Sequence, residues 1–535
     1  MRQLELFETK EEEYYSAETY SGIYAMHKYW SKKPANIIRD LIKKYSLEGD
    51  IVLDPFCGSG VSIIESLTLN RKAIGIDINP SAIFITKQML NRVNPNSLLE
   101  YFNIIKDNIK PQIDRLYEIE RDGKIITASH FIWEDDKLSE IWYFNKRKKN
   151  ILKPLKEDEL SATKIKLNDI PYFYPKNSFF KNSRINTKEG QKVFDLFTPR
   201  NLYALSMLYN EIEKIDDSDI RDIFKFIFTS SIGQSSKMVF ILNRKKRDSN
   251  GNFIERKEVG SWVIGYWTPK NFFEINVWRN FDIRFKKIFK AKSNQFCLDL
   301  KIDKTDNIQD IIYGNFNFCL LNEPSQIALK NFPDNSIDYI ITDPPHGDRV
   351  PYLELGILWN SWLKQEPDFE NEIVISNAKE RKKDIKNYNL LINRVFFEIY
   401  RTLKPNRYFS LIFNSLDDEV WLNLILELFK IGFVLYNIEI LGYSANSVVQ
   451  DNRKKGLKTD FILTFIKSNK KMDINLNILT LENNRDYLEK SVEKIINRES
   501  NKEIYNLINK SFKFFLKRNE FFKLSEILEI INRKV

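Results

Sequence analysis

The stretch GDIVLDPFCGSGVSIIESLTLNRKAIGIDINP, residues 49–80, decides the fold. Its apolar run IVL leads into a glycine turn, and the apolar residues after the turn have helical spacing until KAIGI forms a second apolar run. This order of strand, turn, helix and strand is typical of a βαβ unit in a parallel sheet. Residues 37–46 and 81–93, on either side, also carry apolar residues at helical spacing. The sequence therefore predicts an α/β fold.

The turn DPFCGSG, from Asp54 to Gly60, has the features of a ligand-binding loop. Gly58 and Gly60 allow the backbone to bend sharply and to approach a ligand closely. The helix after the turn offers unpaired amide hydrogens and the positive end of its dipole to an anionic group. Asp77 ends the next strand 19 residues after Gly58, where a Rossmann-like fold binds a ribose diol. The turn has no GK[ST] ending, which excludes a nucleotide triphosphatase loop.

A second chemically distinctive turn is ITDPPHGD, residues 341–348, at the end of the apolar run NSIDYIIT. A strand that ends in Asp-Pro-Pro leaves backbone carbonyls without ladder partners. These carbonyls and the Asp343 carboxylate only accept hydrogen bonds, so they can hold the hydrogens of an amino group. They can also stabilise the positive charge that grows when the amino nitrogen attacks a methyl sulfonium. His346 follows with a flat ring, which indicates a stacking position.

The two turns together resemble the cofactor loop and the catalytic loop of the amino-group DNA methyltransferases. In that family the catalytic loop reads Asp, Asn or Ser, then Pro-Pro, then an aromatic residue. The resemblance implies that Asp343 and the Pro344 carbonyl bind the target amino group, with Pro345 in the same loop, and that His346 stacks on the base. His346 departs from the Tyr that the family most often has. Compared with the Tyr ring, imidazole offers less stacking area and can carry charge.

The resemblance also implies S-adenosylmethionine as the cofactor, with the ribose on Asp77. The segment MHKYWSKKPANII, residues 26–38, resembles the N-terminal cofactor-pocket motif of a bacterial and archaeal group of DNA methylases. The residues that the resemblance implies for the rest of the cofactor site are Asp54, Pro55, Phe56, Cys57, Gly58, Gly60, His27, Lys33 and Pro34.

The same family implies a Rossmann-like class I methyltransferase sheet that is interrupted by a large inserted recognition domain. The sheet-forming patterns stop near residue 100 and return near residue 311. We therefore expect a discontinuous catalytic domain at 1–99 and 311–470, with an inserted target-recognition domain at 100–310. Residues 471–535 are rich in Lys and Glu, with apolar residues at helical spacing, and are predicted to form a helical C-terminal segment.

The insert is predicted to contact double-stranded DNA, because a base must be flipped out of the duplex to reach such a pocket. Arg244, Lys245, Lys246 and Arg247 lie in NRKKRDSNGNF, which is interpreted as a basic loop that contacts phosphates. The interleaved aromatic and basic residues of SWVIGYWTPKNFFEINVWRNFDIRFKK suit either stacking on bases or packing in the core of the insert. The region TASHFIWED lacks the cysteines of the zinc ribbon that many members carry, so no bound metal is predicted.

The composition agrees with a polyanionic partner. Lys and Arg number 83 against 73 Asp and Glu, which gives a net charge of +10. None of the three cysteines forms a CxxC pair, and no run of 18 or more apolar residues is present. The first residues lack the apolar core of a signal peptide. These features predict a cytoplasmic protein without a membrane span.

Adenine N6 is the favoured methyl acceptor, because Asp before Pro-Pro brings the resemblance closer to adenine enzymes. Cytosine N4 methylation, RNA amino-methylation and a non-catalytic DNA-binding subunit of a defence complex stay open. Cytosine C5 methylation is disfavoured, because it needs a cysteine in a Pro-Cys context and each cysteine here follows Phe. The resemblance implies a role in restriction-modification or phage defence, with a possible partner subunit.

Overall fold

A computed structural model of the chain describes residues 14–146, 148–247, 253–263, 265–294, 299–347, 349–415, 417–442, 460–468, 476–499 and 504–534. The helices are α1 (Ala35–Tyr45), α2 (Val61–Thr68), α3 (Pro80–Leu90), α4 (Pro95–Arg115), α5 (Lys156–Thr163), α6 (Pro199–Glu213), α7 (Ser218–Ile232), α8 (Val277–Lys292), α9 (Ile308–Ile312), α10 (Ser325–Ala328), α11 (Tyr352–Trp362), α12 (Ile385–Thr402), α13 (Asp418–Ile431), α14 (Leu481–Arg498), α15 (Ile504–Leu516) and α16 (Leu524–Lys534).

The strands belong to five sheets of two to nine strands. They are β1 (Tyr14–Ser16), β2 (Ile51–Asp54), β3 (Lys72–Ile76), β4 (Glu118–Arg121), β5 (Lys124–Thr127), β6 (His130–Glu134), β7 (Lys137–Asn145), β8 (Lys148–Leu152), β9 (Ile241–Arg247), β10 (Phe253–Val259), β11 (Phe272–Ile275), β12 (Lys304–Thr305), β13 (Phe318–Leu321), β14 (Ile337–Thr342), β15 (Leu403–Phe413), β16 (Phe433–Gly442), β17 (Asp460–Lys467), β18 (Asn477–Ile478) and β19 (Glu520–Phe521).

The central sheet has nine strands in the order β1-β16-β17-β15-β14-β2-β3-β13-β12. All neighbouring pairs are parallel except the two that involve β17, which runs antiparallel to β15 and to β16. The chain passes from β2 outward to β3 on one side, and from β14 outward to β15 on the other. This mostly parallel sheet confirms the predicted Rossmann-like α/β fold.

Helices cover both faces of the sheet, and the side chains of each strand alternate between them. Val52 of β2 packs in one apolar cluster with Ile37 and Leu41 of α1. Leu53, the next residue, packs in the cluster on the opposite face with residues of α12 and α13, among them Val395. The apolar run IVL is therefore buried on both faces, as central parallel strands are.

The inserted region contains a four-stranded antiparallel sheet, β11-β6-β7-β8, together with α4 and the packed helices α6, α7 and α8. Its apolar side chains share one buried cluster with the first βαβ unit, since Phe84 of α3, Phe226 of α7 and Phe281 of α8 belong to the same cluster. The insert is thus fused to the main sheet through a common core, and the domain limits given above stay a prediction.

The basic segment near residue 244 is a strand, so its interpretation as a loop is wrong. Residues 243–247 lie in β9, which pairs antiparallel with β10. Lys245 is opposite Glu255, and Arg244 Nε is 3.1 Å from Glu258 Oε2. Pairs of opposite charge across the two strands stabilise their pairing, so the strands need no alternation of apolar and polar residues. Residues 248–252, between the two strands, lie outside the described residues.

The C-terminal helices α14, α15 and α16 pack on the same side of the central sheet as α13. The backbone N–H of Leu524 donates to Asp418 Oδ1 at 2.8 Å, and Trp421 of α13 contacts Phe512 with ring centroids 5.1 Å apart. The predicted helical tail is confirmed. Among the described helices, none is long and apolar enough to cross a membrane.

Candidate active site

A cavity opens at the carboxyl ends of β2, β3 and β14, which are neighbours in the centre of the sheet. The strand order reverses between β2 and β14, and ligands of open α/β sheets bind at such a point. Predicted site residues that line this cavity are Lys33, Asp54, Phe56, Cys57, Gly58, Asp77, Asp343 and Pro345. Predicted residues that lie next to the cavity, outside its lining, are His27, Pro34, Pro55, Gly60, Pro344 and His346.

The glycine turn is closely packed, and two of its residues have left-handed backbone angles. Gly58 has φ 50° and Gly60 has φ 73°, values that side chains disfavour. A Cβ at Gly60 would lie 2.2 Å from the methyl group of Thr86 in α3. The turn is therefore pressed against the helix that follows β3, and it leaves the space above it to the cavity.

Asp54 is a buried carboxylate that ties the glycine turn to β14. Its Oδ1 accepts hydrogen bonds from the Phe56 N–H at 3.0 Å and from the Thr342 hydroxyl at 2.6 Å, and its Oδ2 accepts from the Ser62 hydroxyl. Burial raises the pKa of Asp54 to about 6, although the hydrogen bonds from Ser62, Thr342 and Phe56 oppose this shift. Thr342 immediately precedes Asp343, so Asp54 also fixes the start of the Asp-Pro-Pro turn.

Asp77 is held by two backbone amides at the end of β3. Its Oδ2 accepts from the Gly58 N–H and its Oδ1 from the Asn79 N–H, both at 2.8 Å. Burial raises the pKa of Asp77 to about 7, and the nearby Asp54 and Glu372 add to the shift. The remaining lone pairs of this carboxylate can accept hydrogen bonds from hydroxyl groups of a ligand in the cavity.

Asp343 follows β14 and is held by side chains instead of backbone amides. Lys33 Nζ lies 3.0 Å from Asp343 Oδ2 and 2.9 Å from Asp460 Oδ2, so one ammonium bridges two carboxylates. His346 Nε2 lies 2.8 Å from Asp343 Oδ1. The Lys33 side chain is 9% exposed, so these charges interact in a largely dry environment, where their attraction is stronger than in water.

His346 is not part of the cavity lining. Its ring makes an edge contact with Phe413, with centroids 4.8 Å apart. Its Nε2 lies 2.8 Å from Asp343 Oδ1, but its hydrogen-bond geometry is with the Ile412 carbonyl at 3.4 Å. The neighbouring carbonyl of Pro345 accepts a hydrogen bond from the Tyr388 hydroxyl at 2.6 Å, which anchors the loop. The predicted stacking of His346 on a base stays a prediction.

The N-terminal motif contributes to the site through residues other than His27. His27 is buried between Phe226 and Trp359, with ring centroids 5.1 and 4.9 Å away, and burial lowers its pKa to about 3. The imidazole is therefore neutral and supports the wall from behind. Pro34 precedes the first turn of α1, which suits its fixed φ. Of the three predicted residues in this motif, only Lys33 lines the cavity.

Several residues of the cavity wall were missed by the sequence interpretation. Tyr29 and Trp30 line it, and Tyr29 stacks on Tyr352 with ring centroids 6.1 Å apart. The aromatic pair within HKYW was a usable signal for Tyr29 and Trp30. Glu372 also lines the cavity and is paired with Arg381 at 2.7 Å. Its position carries no signal, because no short motif surrounds it and it reaches the site from a long connection after α11.

The walls suit a ligand with both cationic and aromatic parts. Asp54, Asp77, Asp343 and Glu372 supply carboxylates, and Lys33 supplies a cationic group to the same cavity. Aromatic rings complete the wall and can pack against a planar ring system. Among the side chains that the structure describes, no group of three or more His, Cys, Asp and Glu residues is placed to hold a metal ion.

The basic hairpin is not part of this cavity. Arg244 is paired with Glu258, and Lys245 is exposed on the same strand. The side chains of Lys246 and Arg247 lie outside the described residues. The predicted DNA-contacting segment therefore lies outside the lining of the cavity that contains Asp343. The role of this segment stays a prediction.

Comparison with known proteins agrees with the resemblance drawn from the two turns. Residues 4–88 match the family model of the N6/N4 DNA methylases. The chain is 24% identical to the type II methyltransferase M.MjaII of Methanocaldococcus jannaschii over 39% of each chain. It is 46% identical to M.HpaI of Haemophilus parainfluenzae over 11% of this chain and 19% of the relative. It is 20% identical to M.MvaI of Kocuria varians over 68% of this chain and 63% of the relative. The chain thus spans less than two thirds of each of these curated relatives.

Proposed function

We propose that this chain, a relative of the amino-group DNA methyltransferases, transfers a methyl group from S-adenosylmethionine to an exocyclic amino nitrogen of a DNA base. Adenine N6 is the first candidate acceptor. The observation that carries the proposal is the meeting of the two turns. The glycine turn with Asp77, and the Asp-Pro-Pro turn with Asp343, line one cavity at the strand ends although they are far apart in the sequence.

The cavity fits the cofactor. S-adenosylmethionine, when bound, supplies the methyl group on a positively charged sulfonium. The carboxylates of Asp54, Asp77 and Glu372 suit the cationic groups of such a molecule, and Asp77 is placed to accept hydrogen bonds from ribose hydroxyls. The glycine turn brings the backbone close, and Tyr29 and Tyr352 offer flat faces for an adenine ring.

Asp343 carries the chemistry on the base side. Its carboxylate accepts a hydrogen bond from the target amino group and stabilises the positive charge that develops on the nitrogen during attack. Lys33 positions this carboxylate through a contact of 3.0 Å and is itself held by Asp460. Tyr388 positions the loop through the Pro345 carbonyl. The interaction is stronger in the transition state than in the ground state, which is what accelerates a reaction.

The substrate is duplex DNA with the target base flipped into the cavity, since a stacked base could not reach Asp343. The basic hairpin of β9 and β10 contacts phosphates, with Arg244, Lys245, Lys246 and Arg247 as the candidate residues. The Lys and Arg excess of the chain favours this partner. The biological setting is restriction-modification or phage defence, with a possible partner subunit.

Nucleoside mass spectrometry after incubation with isotope-labelled S-adenosylmethionine tests the proposal. Duplex DNA of mixed sequence and total RNA serve as parallel substrates, and Asp343→Ala serves as the matched inactive control. Label in N6-methyladenine from DNA is the expected result. Label in N4-methylcytosine would transfer the proposal to cytosine, and label only in RNA would overturn DNA as the substrate. Cofactor binding without transfer to any substrate would leave a non-catalytic DNA-binding subunit as the better account.

A further inference from the structure

A group of four cationic side chains lies beside the cavity and is not used by the proposed reaction. Lys28 and Lys32 belong to the N-terminal motif, and Arg284 and Lys287 belong to α8. The short 3-10 turn before the motif, Gly22–Ala25, packs against α8, which brings the two pairs together. Lys32 also lines the cavity. These four residues are called here the cation cluster.

The lysines of the cation cluster contact neutral acceptors. Lys28 Nζ donates to the Trp262 carbonyl at 2.6 Å and lies 4.4 Å from the centroid of the Trp262 ring. Lys32 Nζ donates to the carbonyls of His27 at 2.8 Å and Tyr24 at 3.0 Å. Among the residues that the structure describes, no carboxylate forms an ion pair with any of the four. Within the part of the chain that the structure describes, the charge of the cluster is therefore not balanced by a paired carboxylate.

Charge repulsion acts within three pairs of the cluster, Lys28 with Arg284, Lys32 with Lys287, and Lys287 with Arg284. Burial, together with Arg284, lowers the pKa of Lys28 to about 8. Burial also lowers the pKa of Lys32 to about 7, with a contribution from Lys287. Burial, followed by repulsion from Arg284, lowers the pKa of Lys287. A bound anion would relieve this repulsion and would therefore lower the free energy of the cluster.

Two other lysines, Lys286 and Lys257, are each paired with a carboxylate. Lys286, on the same helix, has its Nζ 2.5 Å from Asp282 Oδ2. Lys257 of β10 lies 2.5 Å from Glu134 and 3.1 Å from Glu140. Cationic side chains that lie together without a carboxylate partner among the described residues are suited to an external anion.

We propose that a backbone phosphate of the DNA strand that carries the flipped base binds to Lys28, Arg284 and Lys287. The charge of Lys32 adds to the positive potential at this position. This inference rests on the proposed function. A nucleotide that enters the cavity carries phosphates on both sides, and these must pass its border. Arg284 offers a planar set of donors that matches a phosphate, and Lys28 and Lys287 add point charges beside it.

The salt dependence of DNA binding tests the cation cluster. The binding of a fluorescent duplex oligonucleotide is measured from 50 to 300 mM KCl for the wild type, for Arg284→Gln combined with Lys287→Gln, and for Lys286→Gln. Each lost phosphate contact should reduce the slope of log K against log salt by about 0.9. Lys286→Gln removes the same charge from the same helix, but its ammonium is already paired, so its slope should stay near that of the wild type. Arg284→Lys with wild-type Lys287 should retain most of the slope.

The outcomes separate this inference from the proposed function. If the double variant loses no more slope than Lys286→Gln while the wild type binds and methylates DNA, the cation cluster is not a phosphate site and the proposed function stands. If the slope is lost as expected but the wild type transfers no methyl group, the phosphate site stands and the proposed function fails. A wild type that does not bind duplex DNA overturns both. Unchanged binding of S-adenosylmethionine by each variant shows that the fold is retained.

Discussion

The glycine turn and the catalytic loop border the same cavity but are held in different ways. In the glycine turn, Asp77 is held by two backbone N–H groups, and Asp54 by one such group and two hydroxyls. In the Asp-Pro-Pro turn, Asp343 Oδ2 is paired with the side chain of Lys33, whereas Asp343 Oδ1 has no hydrogen-bond partner among the described residues. Backbone donors cannot leave without refolding the turn, whereas side chains can rotate away.

This difference indicates two kinds of binding. The glycine-turn side of the cavity, proposed to bind the cofactor, is built before any ligand arrives, because its donors belong to the fold itself. On the side of Asp343, proposed to bind the base, Oδ1 has no hydrogen-bond partner among the described residues and can accept a hydrogen bond from a ligand. Lys33 stays with Asp343 in either case, since Asp460 holds it in place.

The largest effect is expected from Asp343→Ala on the base side. Turnover should fall by about a hundredfold or more, because the variant loses an interaction that strengthens in the transition state. Single-turnover methylation measures this loss. Calorimetry should show unchanged affinity for S-adenosylmethionine, since the glycine turn does not depend on this residue. An active Asp343→Ala enzyme would contradict the assignment of the catalytic loop.

On the cofactor side, Asp77→Ala should mainly weaken binding. The loss should be roughly 1.5–3 kcal/mol, the range for hydrogen bonds to a charged group. Turnover at saturating cofactor should change much less than in Asp343→Ala, which serves as the opposite control. Isothermal calorimetry on the folded variant decides the matter, and unchanged affinity would remove Asp77 from the cofactor site.

The rigidity of the glycine turn can be tested with two alanine variants. Gly60 and Gly123 have nearly equal φ angles, 73° and 71°, but only a Cβ at Gly60 meets another residue, Thr86, at 2.2 Å. Gly60→Ala should therefore reduce the free energy of unfolding by about 1–3 kcal/mol more than Gly123→Ala, as overpacking does. Urea unfolding compares the two. Equal losses would mean that Thr86 gives way and that the turn is less rigid than described.

Cofactor affinity should depend on pH through Asp54 and Asp77. Burial raises their pKa values to about 6 and 7, so both are partly protonated at pH 6 and largely ionised at pH 8. If the cofactor binds the ionised forms, the Kd should fall on the order of tenfold as the pH rises from 6 to 8. The ligand-free protein should show the reverse trend in stability, because folded-state pKa values above the unfolded ones favour folding at low pH and this gain is lost as the pH rises through 6 to 7.

Calorimetric titrations at several pH values check this dependence, and Asp77→Ala is the matched control because it should show a smaller change with pH. Glu372, whose pKa burial also raises, faces the same carboxylates and should be replaced by Gln in a second control. A Kd that is constant from pH 6 to pH 8 would contradict the participation of these carboxylates.

The smallest effect is expected from His346→Tyr. Tyrosine restores the residue that the family most often has and keeps a flat ring for stacking, so turnover should be maintained or rise. His346→Ala removes the ring, and base capture should weaken by roughly 1–3 kcal/mol. Single-turnover rates with both variants measure the difference. An inactive His346→Tyr enzyme would mean that the imidazole accepts a proton in the reaction.

The sequence predicted those parts of the site that are local. The apolar runs of β2 and β14 are buried on both faces, so each was visible as a short strand, and the residue types at their ends indicated the two turns. Gly58 and Asp77 were visible because a fixed spacing joins them. In each case, the physical requirement falls on a few consecutive residues or on one βαβ unit.

The parts that the sequence missed depend on contacts between distant residues. Lys33 was assigned to the cofactor, whereas the structure also pairs it with Asp343 and Asp460. The basic strand β9 had no apolar alternation, because cross-strand charges support it. His27 belongs to a motif that lines the cavity, yet it packs among aromatic rings behind the wall. Neither spacing nor residue type distinguishes such a supporting residue from a binding one.

The bridge made by Lys33 also has a consequence for how the protein is made. Its two partners, Asp343 and Asp460, lie far along the chain, and Lys33 and Asp460 are 427 residues apart. On a ribosome, the segment with the glycine turn emerges long before either partner. The nascent chain can therefore form its first βαβ unit early, but it cannot complete the ion pairs of the catalytic loop until β17 has been synthesised. The contact between Lys33 and Asp460 is thus delayed until most of the polypeptide has left the ribosome, so an interrupted translation product has the glycine turn without this contact.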